Sequence, residues 1–144
     1  MNKQEVLTSS ETLVARTPWA VLGCVNPDAH PLMSGFLKLE ADGLKTIWLT
    51  SRRDRAHTCA LQDNPNSSLY FVDIERFTAV LLKGTTEIVD DPAIKKRFWE
   101  SSSFVQAYHS EGIDDKDFVM LKFTTRELRY YISGMDIADI TLCL

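Results

Sequence analysis

Between Lys3 and Arg16 the apolar residues Val6, Leu7, Leu13 and Val14 fall near one face of a helical period among polar neighbours, which predicts an amphipathic helix. Thr17-Pro18 ends it, because the residue before a proline is pushed out of the helical region. The pattern then changes. Trp19-Ala20-Val21-Leu22-Gly23-Cys24-Val25 is a short apolar run closed by Asn26-Pro27-Asp28, and it predicts a buried strand and a hairpin turn. Pro31 to Glu40 predicts the return strand and Ala41-Asp42-Gly43 a turn. Lys45 to Thr50 predicts a third strand, in which Thr46, Trp48 and Thr50 alternate with Ile47 and Leu49.

Ala56 to Gln62 predicts a short helix that Asn64-Pro65 breaks. Ser67 to Asp73 and Phe77 to Val89 predict two more strands, the second bending or meeting another backbone at Gly84. Asp90-Asp91-Pro92 supplies the cap and first turn of a helix through Ala93, Ile94, Phe98 and Trp99. Phe118 to Phe123 and Glu127 to Ile132 predict closing strands separated by Thr124-Thr125-Arg126, and Met135 to Leu144 is assigned no element. Six or seven strands joined by short turns, without a regular β-α-β rhythm, predict an antiparallel barrel with two or three helices at its edges. The expected class is α+β, mainly β, in one domain over residues 1–144.

Composition narrows the function. The chain has 144 residues, 44% hydrophobic and 25% charged, and carries a formal charge of −4 with both signs interspersed. Such a chain fills one core, and its field gathers no polyanion, so nucleic acid is not the expected partner. Apolar runs such as Ala79-Val80-Leu81-Leu82 are far short of a membrane span, and the polar start Met1-Asn2-Lys3-Gln4-Glu5 contains no signal-peptide core. The expectation is a cytoplasmic protein without membrane contact. Cys24, Cys59 and Cys143 are odd in number and widely spaced, which suggests inert thiols.

The chemistry concentrates in Thr50-Ser51-Arg52-Arg53-Asp54-Arg55-Ala56-His57, between a strand and a helix. Hydroxyls and guanidinium groups near a helix N-terminus, where backbone N–H groups are free, suit a phosphate. A solvated basic loop has the same composition, so the loop leaves both readings open. His30, His57 and His109 show no metal-ligand spacing, and no metal is assigned. Asp114-Asp115-Lys116-Asp117 reads as a solvated turn. Trp19, Trp48 and Trp99 read first as core or interface residues, with Trp99 the one to watch for stacking on a ring ligand.

Ile47-Trp48-Leu49-Thr50, the Ser51 to Arg55 loop, the His57 to Leu61 helix, Asn64-Pro65 and Ser68-Leu69-Tyr70-Phe71 follow one another in an order that resembles the pyridoxamine 5'-phosphate oxidase-like split barrels. Lys83-Gly84-Thr85-Thr86-Glu87-Ile88-Val89-Asp90-Asp91-Pro92, Phe98-Trp99 and the stretch Leu121 to Tyr131 are similar to the general stress protein subgroup. The resemblance covers about residues 5 to 132. It implies a six-stranded antiparallel split β-barrel with flanking helices, a homodimer, and flavin mononucleotide (FMN) held between protomers. By position it implies cofactor contacts from Ser34, Thr50, Ser51, Arg52, Arg55 and His57, with Trp99 as a candidate ring neighbour.

Three positions depart from the family pattern. Ser34, or Met33 in a register shifted by one, stands where relatives carry arginine. His57 stands in place of a lysine, and Ala79 in place of an amide. A histidine with an ordinary pKa of about 6.5 would gain charge just below neutral pH. The resemblance implies a flavin-dependent oxidoreductase that is not a true pyridoxamine-phosphate oxidase, with no catalytic acid or base assignable. The competing expectation is a binding or regulatory protein whose dimer cleft takes haem, a deazaflavin or no cofactor.

Overall fold

The structure, a computed structural model, describes residues 1–141; Cys143 lies outside the described residues. Helix α1 (Lys3–Arg16) opens with a capping box between Asn2 and Glu5 and buries Val6, Ser10, Leu13 and Val14. Its end is capped from a distance, because the Lys38 ammonium donates to the carbonyls of Val14 and Ala15. That contact, with Lys38 N–H donating to Pro18 O, turns the chain out of the return strand. Strand β1 (Trp19–Val25) pairs with β2 (Pro31–Leu37), and the expected continuation to Glu40 is broken into a separate short strand, β3 (Glu40–Asp42), beside β4 (Thr46–Arg52).

Helix α2 (Ala56–Asp63) follows, then β5 (Asn66–Asp73) and β6 (Thr78–Val89). Asp91 caps α3 (Pro92–Ser101) and Ser102 caps α4 (Ser103–Tyr108), a helix too short to leave a clear period in the sequence. β7 (Phe118–Ile132) is one strand of 15 residues where the sequence predicts two, and β8 (Met135–Thr141) returns beside it.

All eight strands form one antiparallel sheet in the order β2-β1-β5-β6-β7-β4-β3, with β8 also on β7. The architecture is therefore mainly β with four helices among the described residues, and the sheet is a curled half-barrel rather than the expected six-stranded barrel. The split lies on β7, whose first half pairs with β4 and whose second half pairs with β8 along the same side. Between those halves the register with β6 slips by one residue at Arg126. The Thr125 N–H and hydroxyl donate to Lys45 O and Leu44 O, so Thr124-Thr125-Arg126 is a bulge within a strand and not a turn.

Two cores lie on opposite faces of the β4–β7 pair. The larger packs Leu22, Leu49, Leu69, Phe71, Leu82, Leu121 and Phe123 against α1 and α2. The smaller packs Trp48, Phe98, Val105, Phe118 and Met120 beneath α3 and α4. Each fully buried Leu, Val or Phe contributes on the order of 1.5–3 kcal/mol relative to exposure. Among the described residues no helix is long and apolar enough to cross a membrane.

Candidate functional site

β4 continues two residues beyond the expected end at Thr50, through Ser51 and Arg52. Strand alternation therefore decides what each side chain meets. Ser51 points to the larger core with Leu49, whereas Thr50 and Arg52 point to the α3–α4 side with Trp48. The expected cofactor residues thus form two groups, and Arg55, the N-cap of α2, lies on the His57 side.

On the α2 side, His57 lies half-buried with both ring nitrogens engaged. Its Nδ1 is 3.2 Å from the Ser34 hydroxyl and its Nε2 is 2.7 Å from the Ser51 hydroxyl. Ser51 also meets the Thr58 hydroxyl at 2.9 Å, and Phe36 sits edge-on to the imidazole at 4.9 Å. Burial, and then the nearby Arg55 charge, push the His57 pKa below its ordinary value. The imidazole is therefore neutral at pH 7, and the gain of charge just below neutrality expected from the sequence moves to lower pH. Ser34, and not Met33, joins this cradle: Met33 is 70% exposed on the other face of β2.

On the α3–α4 side, Thr50 Oγ1 donates to Val119 O at 3.1 Å and meets His109 Nε2 at 2.7 Å. His109 is completely buried and stacks on Phe118 at 4.0 Å between ring centroids. Arg52 donates to Asp54, Asp115 and Asp117 at 3.2, 2.9 and 3.3 Å. The stretch read as a solvated turn is instead an anchor, with the Asp115 side chain only 8% exposed. Its carboxyl lies below the usual carboxylate range, held there by the Asp117 backbone N–H and then by Arg52. Trp99 packs on Phe118 at 6.2 Å in the same cluster, away from His57. Sequence reading missed the role of His109, since no local pattern links it to a threonine 59 residues earlier.

The three loop arginines differ in availability. Arg52 is held by carboxylates, and Arg53 donates to Asp90 at 2.5 Å. Arg55 has no ion-pair partner among the described residues. It is exposed at the N-cap of α2, where no side chain caps the free N–H groups of the first turn. An unpaired guanidinium and uncapped backbone donors make a donor set that fits a phosphate group, whereas the expected contact Ser51 is fully buried with its hydroxyl shared between His57 and Thr58.

A family model described as pyridoxamine 5'-phosphate oxidase matches residues 9–132. The chain belongs to this family. Among solved structures it is similar to a Clostridium acetobutylicum protein related to general stress protein 26 of Bacillus subtilis, of the pyridoxinephosphate oxidase family. The two are 30% identical, with a TM-score of 0.86 over 98% of this chain and 97% of the other. General stress protein 26 from Bacillus anthracis strain Sterne is 17% identical, with a TM-score of 0.75 over 96% and 99% of the two chains. A haem-binding protein from Mycobacterium smegmatis is 18% identical, with a TM-score of 0.76 over 98% of this chain and 60% of that one. Comparison with curated proteins finds no match. Within the pyridoxamine 5'-phosphate oxidase family the chain stands with the general stress protein 26 subgroup.

Proposed function

We propose that the chain is a flavin-binding protein that holds FMN between two copies, with the phosphate at the N-terminus of α2. The observation that carries this reading is Arg55, the loop arginine left without a carboxylate partner, beside the uncapped N–H groups that open α2. Ser34 and His57 border the same place from β2 and α2. Thr50 and Arg52 act at one remove, holding the end of β4 and the segment carrying Asp115 so that the loop keeps its shape. Trp99 lies on that supporting side as packing. When bound, a flavin supplies the electron chemistry of its ring, and the chain supplies the phosphate grip and the orientation.

Replacing Arg55 with Ala should weaken FMN binding by about 1.5–3 kcal/mol, the scale of a hydrogen bond to a charged group. Riboflavin lacks the phosphate, so its binding should not change. Fluorescence titration of both flavins against both proteins measures this, and an equal loss for the two flavins would count against the phosphate assignment.

The second copy is called for by the outer face of β1, β2 and β5. Trp19 is 60% exposed there, Val21 40%, Tyr70 38% and Val72 42%. These positions share one face by strand alternation and by the pairing of Val21 with Tyr70. An apolar sheet face of this kind is ordinarily covered, and a second copy covers it symmetrically. Light scattering should give a dimer for the native chain and a monomer for Val72→Asp. A native monomer at micromolar concentration would remove both the dimer and the shared cofactor site.

A second reading, a binding protein for another ligand, is favoured by the His57 cradle. Ser34 and Ser51 occupy both imidazole nitrogens, so the position where relatives carry lysine holds a neutral ring. Failure of FMN to bind the native protein at all would favour this second reading.

A further inference from the structure

The outer face of β1, β2 and β5 is uneven, and its relief follows from one strand. Along β1 the residues on this face include Trp19, Val21 and Gly23, spaced two residues or roughly 6.7 Å apart. The largest side chain and the absent one therefore stand at equal distances on either side of Val21. Trp19 projects, being 60% exposed. Around Gly23 the face is hollow: Gly23 pairs with Ser68, and a Cβ added to it would meet nothing nearer than the Ser68 carbonyl at 4.0 Å. The hollow measures about 420 Å³ and is walled by Met33, Val25 and Lys83.

Its rim says what fits it. Arg126, the residue skipped where β7 changes register against β6, lines the hollow with an exposed side chain. Lys83 is paired with Glu127 at 3.0 Å, whereas Arg126 has no ion-pair partner among the described residues. An apolar hollow beside a free guanidinium suits the face of an aromatic ring. The extent of the face suits a protein partner. Its β1, β2 and β5 part carries no charged side chain, because the residues that alternate outward on these strands are all apolar or uncharged. With β6 it measures roughly 19 Å by 23 Å in projection, and the relief of its side chains brings the accessible area towards the ~800 Å² per partner of a standard interface.

We infer that a second copy covers this face in one register, with a two-fold axis crossing β1 at Val21, so that Trp19 of each copy fills the hollow at Gly23 of the other. The axis lies in the plane of contact and runs across the strands. A half-turn about it carries each residue of β1 to the equal distance beyond Val21, so Trp19 lands opposite Gly23 and Gly23 opposite Trp19, and one rotation satisfies both. The pairing of β1 with β5, continued by two residues, sets Val72 beside Trp19, and the bulky pair Trp19 and Val72 thus meets the low pair Gly23 and Ser68. Arg126 stacks on the inserted indole. The inference rests on the second copy proposed above and adds which residues meet. It leaves the cradle of Ser34 and His57 clear, because Ser34 points to the opposite face of β2 from Met33.

Light scattering over a concentration series tests the pairing. Trp19→Ala removes the projection, and Gly23→Val fills the hollow without a backbone clash. Each should raise the dimer dissociation constant on the order of a hundredfold or more, because every homodimer loses both contacts. Arg126→Gln should raise it about five- to tenfold. An equal mixture of Trp19→Ala and Gly23→Val should recover dimers at concentrations where each alone is monomeric. The mixed dimer keeps one Trp19–Gly23 contact intact and brings the two substituted positions together, one emptied and one filled. As a second measurement, the tryptophan emission of the native protein should move to shorter wavelength as the chains associate, a shift that Trp19→Phe should lack. A native monomer at micromolar concentration would overturn this inference together with the second copy. A native dimer that both single variants form equally well, a mixture as monomeric as its parts, or an emission unmoved by association would overturn this inference alone.

Discussion

Alanine in place of Gly84 is expected to cost more than about 4 kcal/mol, in the extreme tail of single substitutions, and to leave little or no folded protein. A Cβ built at Gly84 falls 1.9 Å from the carbonyl oxygen of Thr124, 2.9 Å from its carbonyl carbon and 3.1 Å from Thr125 Cα. All three are backbone atoms, so no side chain can swing aside. The backbone cannot yield cheaply either, because Thr125 is tied to Lys45 O by its N–H and to Leu44 O by its hydroxyl. Relief would require separating β6 from β7 where β7 passes from β4 to β8. Gly35→Ala is the matched control: it also lies in a strand, and nothing stands within 4 Å of the added atom. The control should change stability by less than about 1 kcal/mol. Urea unfolding of the three proteins compares them, and a loss below 1 kcal/mol for Gly84→Ala would show that the strands part more easily than their hydrogen bonds indicate.

The close approach at Gly84 was legible in the sequence because a glycine inside a long apolar strand has few other uses. Lys3–Arg16 and Trp19–Val25 were equally legible, since each has one unbroken period and a stop signal that acts locally. The continuity of β7 was not. Thr124-Thr125-Arg126 looks like an interruption in hydrophobicity, yet it contains none of the residues that turns demand, and the hydrogen bonds that keep it extended run to Leu44 and Lys45 just ahead of the neighbouring β4, distant in sequence. β8 was missed because Asp136 and Asp139 break its alternation; Arg129 reaches both carboxylates, its bond to Asp139 being the closer. At the site, the residue types mark the right stretch, but the sequence pattern ends β4 at Thr50, two residues before the strand itself ends. The difference matters more than its length suggests. It puts Ser51 and Arg52 in one loop, when strand alternation sends them to opposite faces.

Acid should destabilise the protein in two steps, and the first belongs mainly to His109. The pKa of this buried imidazole is pushed down to about 4 by burial first and by the Arg52 charge next, with Lys95 adding to the depression and Asp115 opposing it. The hydrogen-bond network shows why the proton is unwelcome. Thr50 Oγ1 uses its hydrogen on Val119 O, so it accepts from His109 Nε2–H, and Nδ1 is left buried with no partner among the described residues. A second proton would sit on Nδ1 with no acceptor to meet it. In the unfolded chain the same ring titrates near its ordinary value of about 6.5. The stabilising effect of neutral His109 is therefore complete above that value and is lost as pH falls towards about 4, and the difference corresponds to about 3 kcal/mol. His57, whose pKa is also lowered, acts in the same direction. The carboxylates of Asp90 and Asp115 lie below their usual range, so their contribution is lost only at still lower pH, as the second step. Replacing His109 with Gln keeps an N–H donor for Thr50 and removes the titration. Urea unfolding from pH 7 to pH 4.5 should show the native protein losing stability more steeply than this variant, even though the variant starts lower for want of the stack on Phe118. Parallel curves for the two proteins would mean that the segment around His109 opens before the ring takes up its proton, and that the buried imidazole does not control acid stability.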